Sequence, residues 1–460
     1  MMLIIASDIH LVDGTCAKSI SPSAFHLFAD RLRETAYQAS WRKDNTYRPV
    51  DGIDLVLMGD ILDPLHSTRW LDTQPSDANY IRPWVDPLKA GYDSKLREVT
   101  RAVIDANAEG LNVIKNLTRP GALTIPPATS NGKPDFESQN PVAVPIRIYY
   151  TIGNHDWYYH LPDQRFDAIR QDIIDVLGLN NPANLFPYEM DEYGPLKELS
   201  ARYKVLMRHG DYYDHFNYDP EKGRNVGTLG DVFAMEVLNR FPVEVEKRLG
   251  NQLPDGLLDG LRRIVNVRPV LATSLWIENQ IESHAGSPAL EAELKLIWNR
   301  VCDDFLDNDF VRKANKAFKF DTVDALRLAV KITDRTSFTT INELVNWMRD
   351  KMGSGEISYA AHALNEQAVQ KEQARFVVYG HTHFHEIVPL DAYGYLSDPA
   401  SQIYINSGTW HSYYAIAAKN HLKIHQPDEF VPYQSMTYLA FYKDDERGGK
   451  SFEAWSGTFA

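Results

Sequence analysis

The sequence predicts an α/β protein interrupted by a large helical insertion, and three observations carry that expectation. Five short apolar runs, Leu3 to Ala6, Ile53 to Met58, Ile146 to Ile152, Tyr203 to Met207 and Phe376 to Tyr379, read as strands buried on both faces. A helical stripe separates the first two runs, which is the strand–helix–strand order of a crossover unit. Residues 219–373 repeat helical spacing with little strand signal.

Taken in order, the opening apolar run is too short for a signal peptide and reads as the first strand. Ser21-Pro22-Ser23 marks a helix start, because a hydroxyl side chain caps free amides and proline suits the first turn. Phe25, Leu27, Phe28, Leu32, Ala36 and Tyr37 then form an apolar stripe running towards Trp41. Residues 64–92, rich in Pro, Asp and aromatics, read as irregular. Residues 93–117 return to helical spacing. The stretch Thr118 to Pro145 carries six prolines with Gly121 and Gly132 and reads as a long surface loop.

The apolar surface of the insertion comes from Val232, Met235, Leu238, Leu249, Leu257, Leu258, Leu261, Ile264, Leu271, Leu275, Ile281, Leu294, Ile297, Trp298, Val301, Phe305, Leu326, Leu344, Val345, Trp347 and Met348. That is enough for an all-α subdomain bounded near Asp219 and Gln373. Gln402 to Ile405 reads as a further strand. Met436 to Tyr442 and Ser451 to Trp455, around the turn-rich Asp444 to Gly449, read as a closing β-hairpin. The expected division is therefore a catalytic domain built from residues 1–218 and 374–460, with the helical insertion at 219–373.

Composition narrows the class. At 460 residues the chain can bury a large core, and its 44% hydrophobic and 24% charged content is that of a globular protein. A formal charge of -14 argues against a stable complex with duplex nucleic acid. With only Cys16 and Cys302, no disulfide framework is expected, which suits a reducing cytoplasm. No apolar run is long enough to predict a transmembrane segment.

Each buried run ends in a polar motif: Ser7-Asp8-Ile9-His10, Gly59-Asp60, Gly153-Asn154-His155-Asp156, His209-Gly210-Asp211 and Gly380-His381-Thr382-His383. Singly these are weak; Asp8 could end a strand, and Asp60 could be a turn residue or helix cap. Together, Asp, His and Asn offer oxygen and imidazole donors that suit Mn, Fe or Zn, with no thiolate involved. Polar residues just beyond buried strands can meet at the rim of a sheet although far apart in sequence.

In these blocks the chain resembles the calcineurin-like metallophosphoesterase superfamily, whose pattern is D-x-H, G-D, G-N-H-D/E, a histidine and G-H-x-H. The resemblance covers roughly residues 1–215 and 374–460. It implies a four-layer α/β sandwich of two mixed sheets flanked by helices. It also implies a binuclear centre with Asp8, His10, Asp60 and His383 around one ion and Asp60, Asn154, His209 and His381 around the other, Asp60 bridging. The ions are expected to be Mn, with Fe, Zn or Ni compatible. Two such cations about 3.5–4 Å apart would activate a bridging hydroxide for attack on phosphorus. His155 would be the non-ligand histidine that aids the leaving group; Asp156 would orient it or, nearly equally, serve as a structural turn carboxylate.

What these motifs leave open is the leaving group. The expected substrate is a phosphorylated small molecule or nucleotide, as a phosphoester, phosphodiester or pyrophosphate. The Ser7-Asp8-Ile9-His10-Leu11 and His209-Gly210-Asp211 forms look like the branch of UDP-diacylglucosamine pyrophosphohydrolases, which is shorter and commonly carries Arg where this chain has His155. The alternatives are a nuclease of the same superfamily and a regulatory scaffold without turnover; the intact ligand pattern argues against the latter. Asp63 and Asp211 are candidates to hold ligand histidines, each equally able to cap a turn. His66, Arg69, His215, His385 and His411 are candidates for substrate contact, Arg69 because a guanidinium grips phosphate with two hydrogen bonds. The insertion is either a substrate cap or a homo-oligomer and partner interface.

Overall fold

The computed structural model describes residues 1–268, 272–284, 286–317, 358–390, 402–416 and 430–459. Leu271, Leu326, Leu344, Val345, Trp347 and Met348 of the expected insertion core lie outside the described residues.

Along the chain, β1 (Met2–Ala6) leads to α1 (Pro22–Ala39) and β2 (Ile53–Met58). Ser21 caps α1 by accepting from the Ser23 amide, and Phe25, Phe28, Leu32 and Ala36 form its buried face. Full burial of Phe28 and Leu32 stabilises that docking by about 1.5–3 kcal/mol each. The expected helix of residues 93–117 is two helices, α2 (Tyr92–Ala106) and α3 (Ala108–Leu117). They part at Asn107, whose side-chain amide donates to the carbonyls of Val103 and Val12. The proline-rich loop holds a small ladder, β3 (Thr124–Ile125) with β4 (Val142–Ala143), and an isolated bridge between Ala128 and Pro134, before β5 (Ile146–Thr151).

Helices α4 (Asp167–Leu177) and α5 (Gly194–Tyr203) precede β6 (Val205–Met207). The insertion follows with α6 (Leu229–Phe233), a π-helical turn over Ala234–Asn239, α7 (Arg240–Leu249), α8 (Leu257–Arg262), β7 (Val267–Arg268), α9 (Thr273–His284), α10 (Pro288–Asp307) and α11 (Asp309–Ala317). The chain returns through β8 (Phe376–Tyr379), β9 (Glu386–Pro389), β10 (Ile403–Asn406), β11 (Ser412–Ile416), β12 (Phe430–Phe441) and β13 (Phe452–Phe459).

Two mixed sheets result. One runs β5-β2-β1-β12-β11-β7 with β13 against β12, and the other runs β6-β8-β10-β9. Strands β1, β2 and β5 are parallel, while β12 is antiparallel to β1 and to β13, so the expected closing hairpin is present. Alternate residues of both sheets, including Leu3, Ile5, Val56, Met58, Val205, Phe376, Val378, Ile405 and Leu439, share one core. The opposite faces of β1 and β2, through Met2, Ile4, Leu55 and Leu57, pack on α1 to α4. Short helices at Ala360–Leu364 and Gln367–Gln370 cover the far side of β8 and β10 through Ala363 and Val369.

The all-α expectation for the insertion needs a correction. Its described part is helical except for β7, which adds in parallel to β11 of the larger sheet. Two residues are too few to leave a period in the sequence, and their pairing partner lies far along the chain. Nor is its core its own, since Val12, Cys16 and Ala17 from the first motif loop pack with Leu229, Phe233, Phe241 and Trp298.

Candidate metal centre

The five motif loops meet at the ends of β1, β2, β5, β6 and β8. Hydrogen bonds between loops hold them there: the amides of Asp8 and His10 donate to the carbonyls of Gly59 (3.1 Å) and Asp60 (2.9 Å), and Gly380 N donates to His209 O (2.8 Å). Asp8, His10, Asp60, His381 and His383 all adopt left-handed backbone, with φ of 52°, 50°, 54°, 65° and 65°. Asp and His tolerate that region better than branched residues, yet it still costs of order 1–3 kcal/mol each and persists only where surroundings enforce it. Asp8 shows how: its carbonyl accepts from Trp410 N and Thr409 Oγ1, and its Oδ1 from His381 N.

The expected ligand residues do come together. His10 Nε2 lies 3.0 Å from His383 Nε2 and 3.7 Å from Asp60 Oδ2. His383 Nε2 is 3.4 Å from Asp8 Oδ1, and His209 Nε2 is 3.2 Å from Asp60 Oδ2. Asn154 Oδ1 joins His209 Nε2 (3.1 Å) and His381 Nδ1 (2.9 Å). Asp8, His10, Asp60, Asn154, His209 and His383 are all buried. Among the described residues, the groups Asp8–His10–His383 and Asp8–Asp60–His209 each gather donor atoms within 4.8 Å of one another. These buried His and Asp groups are able to hold a metal ion. One detail fits a cation: the Nε2 atoms of His10 and His383 turn towards each other, where two imidazole lone pairs can share one ion.

The electrostatics follow from the crowding. Burial works to raise the Asp60 carboxyl, but the imidazoles of His209, His155 and His10 outweigh it and hold it below the usual carboxylate range. Asp8 is raised, by burial first and by the charge of Asp60. Burial works to lower His209, yet Asp60 and Asp8 push it up to about 10. Burial likewise opposes the charge on His155, and Asp63 and Asp60 raise it to about 9. Burial sends His383 well below the ordinary range, with Arg268 and His10 adding to the effect.

His155 sits beside the donors, its amide donating to Asp60 Oδ1 (2.8 Å) and its Nδ1 facing Asp63 Oδ2 (2.9 Å). Of the two roles open to Asp156, its contacts fit that of a turn carboxylate. That carboxylate accepts from Tyr150 Oη, Ile61 N and Gly153 N and serves as a buried clamp of its own turn, with Asp63 orienting His155 instead. The same Oδ2 of Asp63 also faces His10 Nδ1 at 2.9 Å, while Oδ1 accepts from the His66 amide.

The other candidates divide. His66 and His411 reach the centre, with rings 5.2 Å from His155 and 5.3 Å from His10. Arg69 does not; it pairs with Asp13 and Glu98. His385 Nδ1 faces the Asn406 carbonyl, and His215 is exposed. Asp211 bonds Tyr188 and pairs with Arg224, while Asp214 takes the histidine-holding role, 3.0 Å from His381 Nε2. The sequence reading missed Asp214, Ser7, Ser407, Asn239, Asn266 and Arg268. Ser7 bonds Asp8 and Ser407, and the two asparagines bond His66 and His411. Ser7 alone carried a signal, standing inside the first motif.

In comparisons with known proteins, no family model matches the chain, and no curated protein matches it. Among the described residues, no helix is long and apolar enough to cross a membrane.

Proposed function

We propose that this protein is a binuclear metal-dependent phosphoesterase of the calcineurin-like superfamily, acting in the cytoplasm on a phosphoester, phosphodiester or pyrophosphate of a small molecule or nucleotide. One observation carries the reading: Asp8, His10, Asp60, Asn154, His209, His381 and His383 converge, with a non-ligand histidine beside them. The face-to-face mixed sheets with helices outside support the four-layer sandwich.

Asp8, His10, Asp60 and His383 would hold one ion, and Asp60, Asn154, His209 and His381 the other. Mn is the favoured metal, and the oxygen and nitrogen donors also accept Fe, Zn or Ni. When bound, such a pair of ions supplies Lewis-acid polarisation of phosphoryl oxygens and a lowered water pKa. The protein's own part is positioning and proton transfer. Asp63 accepts from His155 Nδ1, which leaves Nε2 as the nitrogen able to donate to a leaving oxygen. The positive charge favoured on His155 by Asp63 and Asp60 also stabilises negative charge developing on the phosphoryl group.

The test is hydrolysis by metal-stripped protein reloaded with Mn, offered a phosphomonoester, a phosphodiester, a UDP-sugar pyrophosphate and single-stranded DNA. The expected result is Mn-dependent turnover of one of the first three, abolished in Asp60→Asn together with its metal content. Turnover of DNA alone would replace the small-molecule reading with the nuclease one. Silence with two metals bound would favour the regulatory scaffold.

A further inference from the structure

The helical insertion touches the centre through a short series of polar side chains. Asn239, at the end of the π-helical turn, donates to the Leu65 carbonyl (2.9 Å), and its Oδ1 faces His66 Nδ1 (3.0 Å). Asn266, just before β7, faces His411 Nε2 through Oδ1 at 2.8 Å. Strand β7 then pairs with β11 in the register Tyr414↔Val267 and Ala415↔Arg268, which ties Arg268 to the strand that follows His411.

Arg268 is partly buried, two residues beyond the Asn266 that meets His411. One terminal nitrogen, Nη1, donates to the carbonyls of Val265 and Val267, each at 3.0 Å. Among the described residues it has no carboxylate ion-pair partner. Burial draws its pKa down to about 10, and the carboxylates opposing that shift are Asp63, Asp8 and Asp60, all belonging to the centre. Its charge is also felt by His383 and His411. A guanidinium partly withdrawn from water without a paired anion carries a cost, which an anion completing the site relieves. Asp8 and Asp60 are placed as metal donors, and Asp63 is taken by His10 and His155. The anion left to meet Arg268 is one brought by the substrate.

We propose that Arg268, carried into the centre by the helical insertion, binds the phosphoryl group of the substrate, so that the insertion forms part of the substrate site. The inference rests on the two-metal reading above. Nη1 is committed to backbone carbonyls, which leaves Nε and Nη2 as the edge suited to two non-bridging oxygens. The asparagine contacts at His66 and His411 fix the insertion against the motif loops, so this placement does not depend on the side chain alone.

The experiment is calorimetric titration of inorganic phosphate into Mn-loaded protein, comparing wild type with Arg268→Ala, Arg268→Gln and Arg268→Lys, with metal content measured in each. Expected are equal metal content, at least about tenfold weaker phosphate binding in Arg268→Ala and Arg268→Gln, and partial recovery in Arg268→Lys. The glutamine keeps a donor for the Val265 and Val267 carbonyls and carries the test if the alanine variant unfolds. Unchanged phosphate affinity with both metals present would overturn the role of Arg268. So would loss of metal from a folded Arg268→Gln, which would make the arginine a support of the donors. Wild type that binds neither metal nor phosphate would instead overturn the two-metal reading.

Discussion

Asp63 does more at the centre than any residue outside the ligand set. Its Oδ2 lies 2.9 Å from both His10 Nδ1 and His155 Nδ1, so one oxygen sets the orientation of a candidate ligand and of the candidate proton donor. Removing such a support typically costs 10–100-fold in metal affinity or activity. Asp63→Asn should therefore weaken Mn binding and lower kcat together, each by roughly tenfold or more, as read by metal titration and steady-state kinetics. A variant with wild-type metal affinity and wild-type kcat would remove Asp63 from this role. The sequence offered both Asp63 and Asp156 as polar neighbours of the motifs, and nothing local separated them. Asp156 closes its own turn onto Gly153 and Tyr150, a choice made by the fold around it.

At the scale of elements, the centre depends on strands that stop abruptly and backbones that then pass very close to one another. Gly153 shows the constraint: a Cβ there would run into Asp60 Oδ1 and the His209 ring, both part of the donor set. Gly153→Ala should shift those donors and weaken Mn affinity by about tenfold or more, on the scale of losing a supporting contact. Gly194→Ala, at an ordinary φ with open space around it, serves as the control and should bind metal as wild type does. Equal affinity in the two variants would show that the loops yield more easily than this packing implies. The motif strands were legible because apolar runs ending in Gly and polar residues are a local pattern. The break between α2 and α3 was not, since Asn107 ends α2 partly by bonding to Val12, on another segment. Strand β7 escaped for the same reason, being defined by its partner β11.

For the whole molecule, residues 8, 10, 60, 154, 209, 381 and 383 come together in one cluster, so a metal bound there would be linked to global stability. In the metal-free protein, His209 is raised from 6.5 to about 10, with burial opposing and Asp60 and Asp8 favouring its charge. A histidine raised in the folded state contributes stability that is fully present below its unfolded pKa and is lost as pH rises through the folded value. Between pH 6.5 and 9 the metal-free protein should therefore lose Tm. Mn held by His209, as proposed, would displace that proton, so the loss should be smaller with metal, and loading should release protons. Mn at a hundred times its Kd adds about 2.7 kcal/mol. Thermal melts at both pH values, with chelator and with Mn, check this; identical melting with and without metal would contradict the linkage.

The sequence by itself determined the α/β class, the helical character of much of the insertion, and the order and type of the donors. These follow from local periodicity and side-chain chemistry, which neighbouring residues suffice to express. Tertiary structure alone decided that Asp63 holds His10 and His155, that Asp214 faces His381, and that Asn239 and Asn266 of the insertion meet His66 and His411. Each of these is a relation between segments far apart along the chain. Such relations are set when buried sheets and a shared core bring the segments together, and no short stretch of sequence contains both halves of the contact.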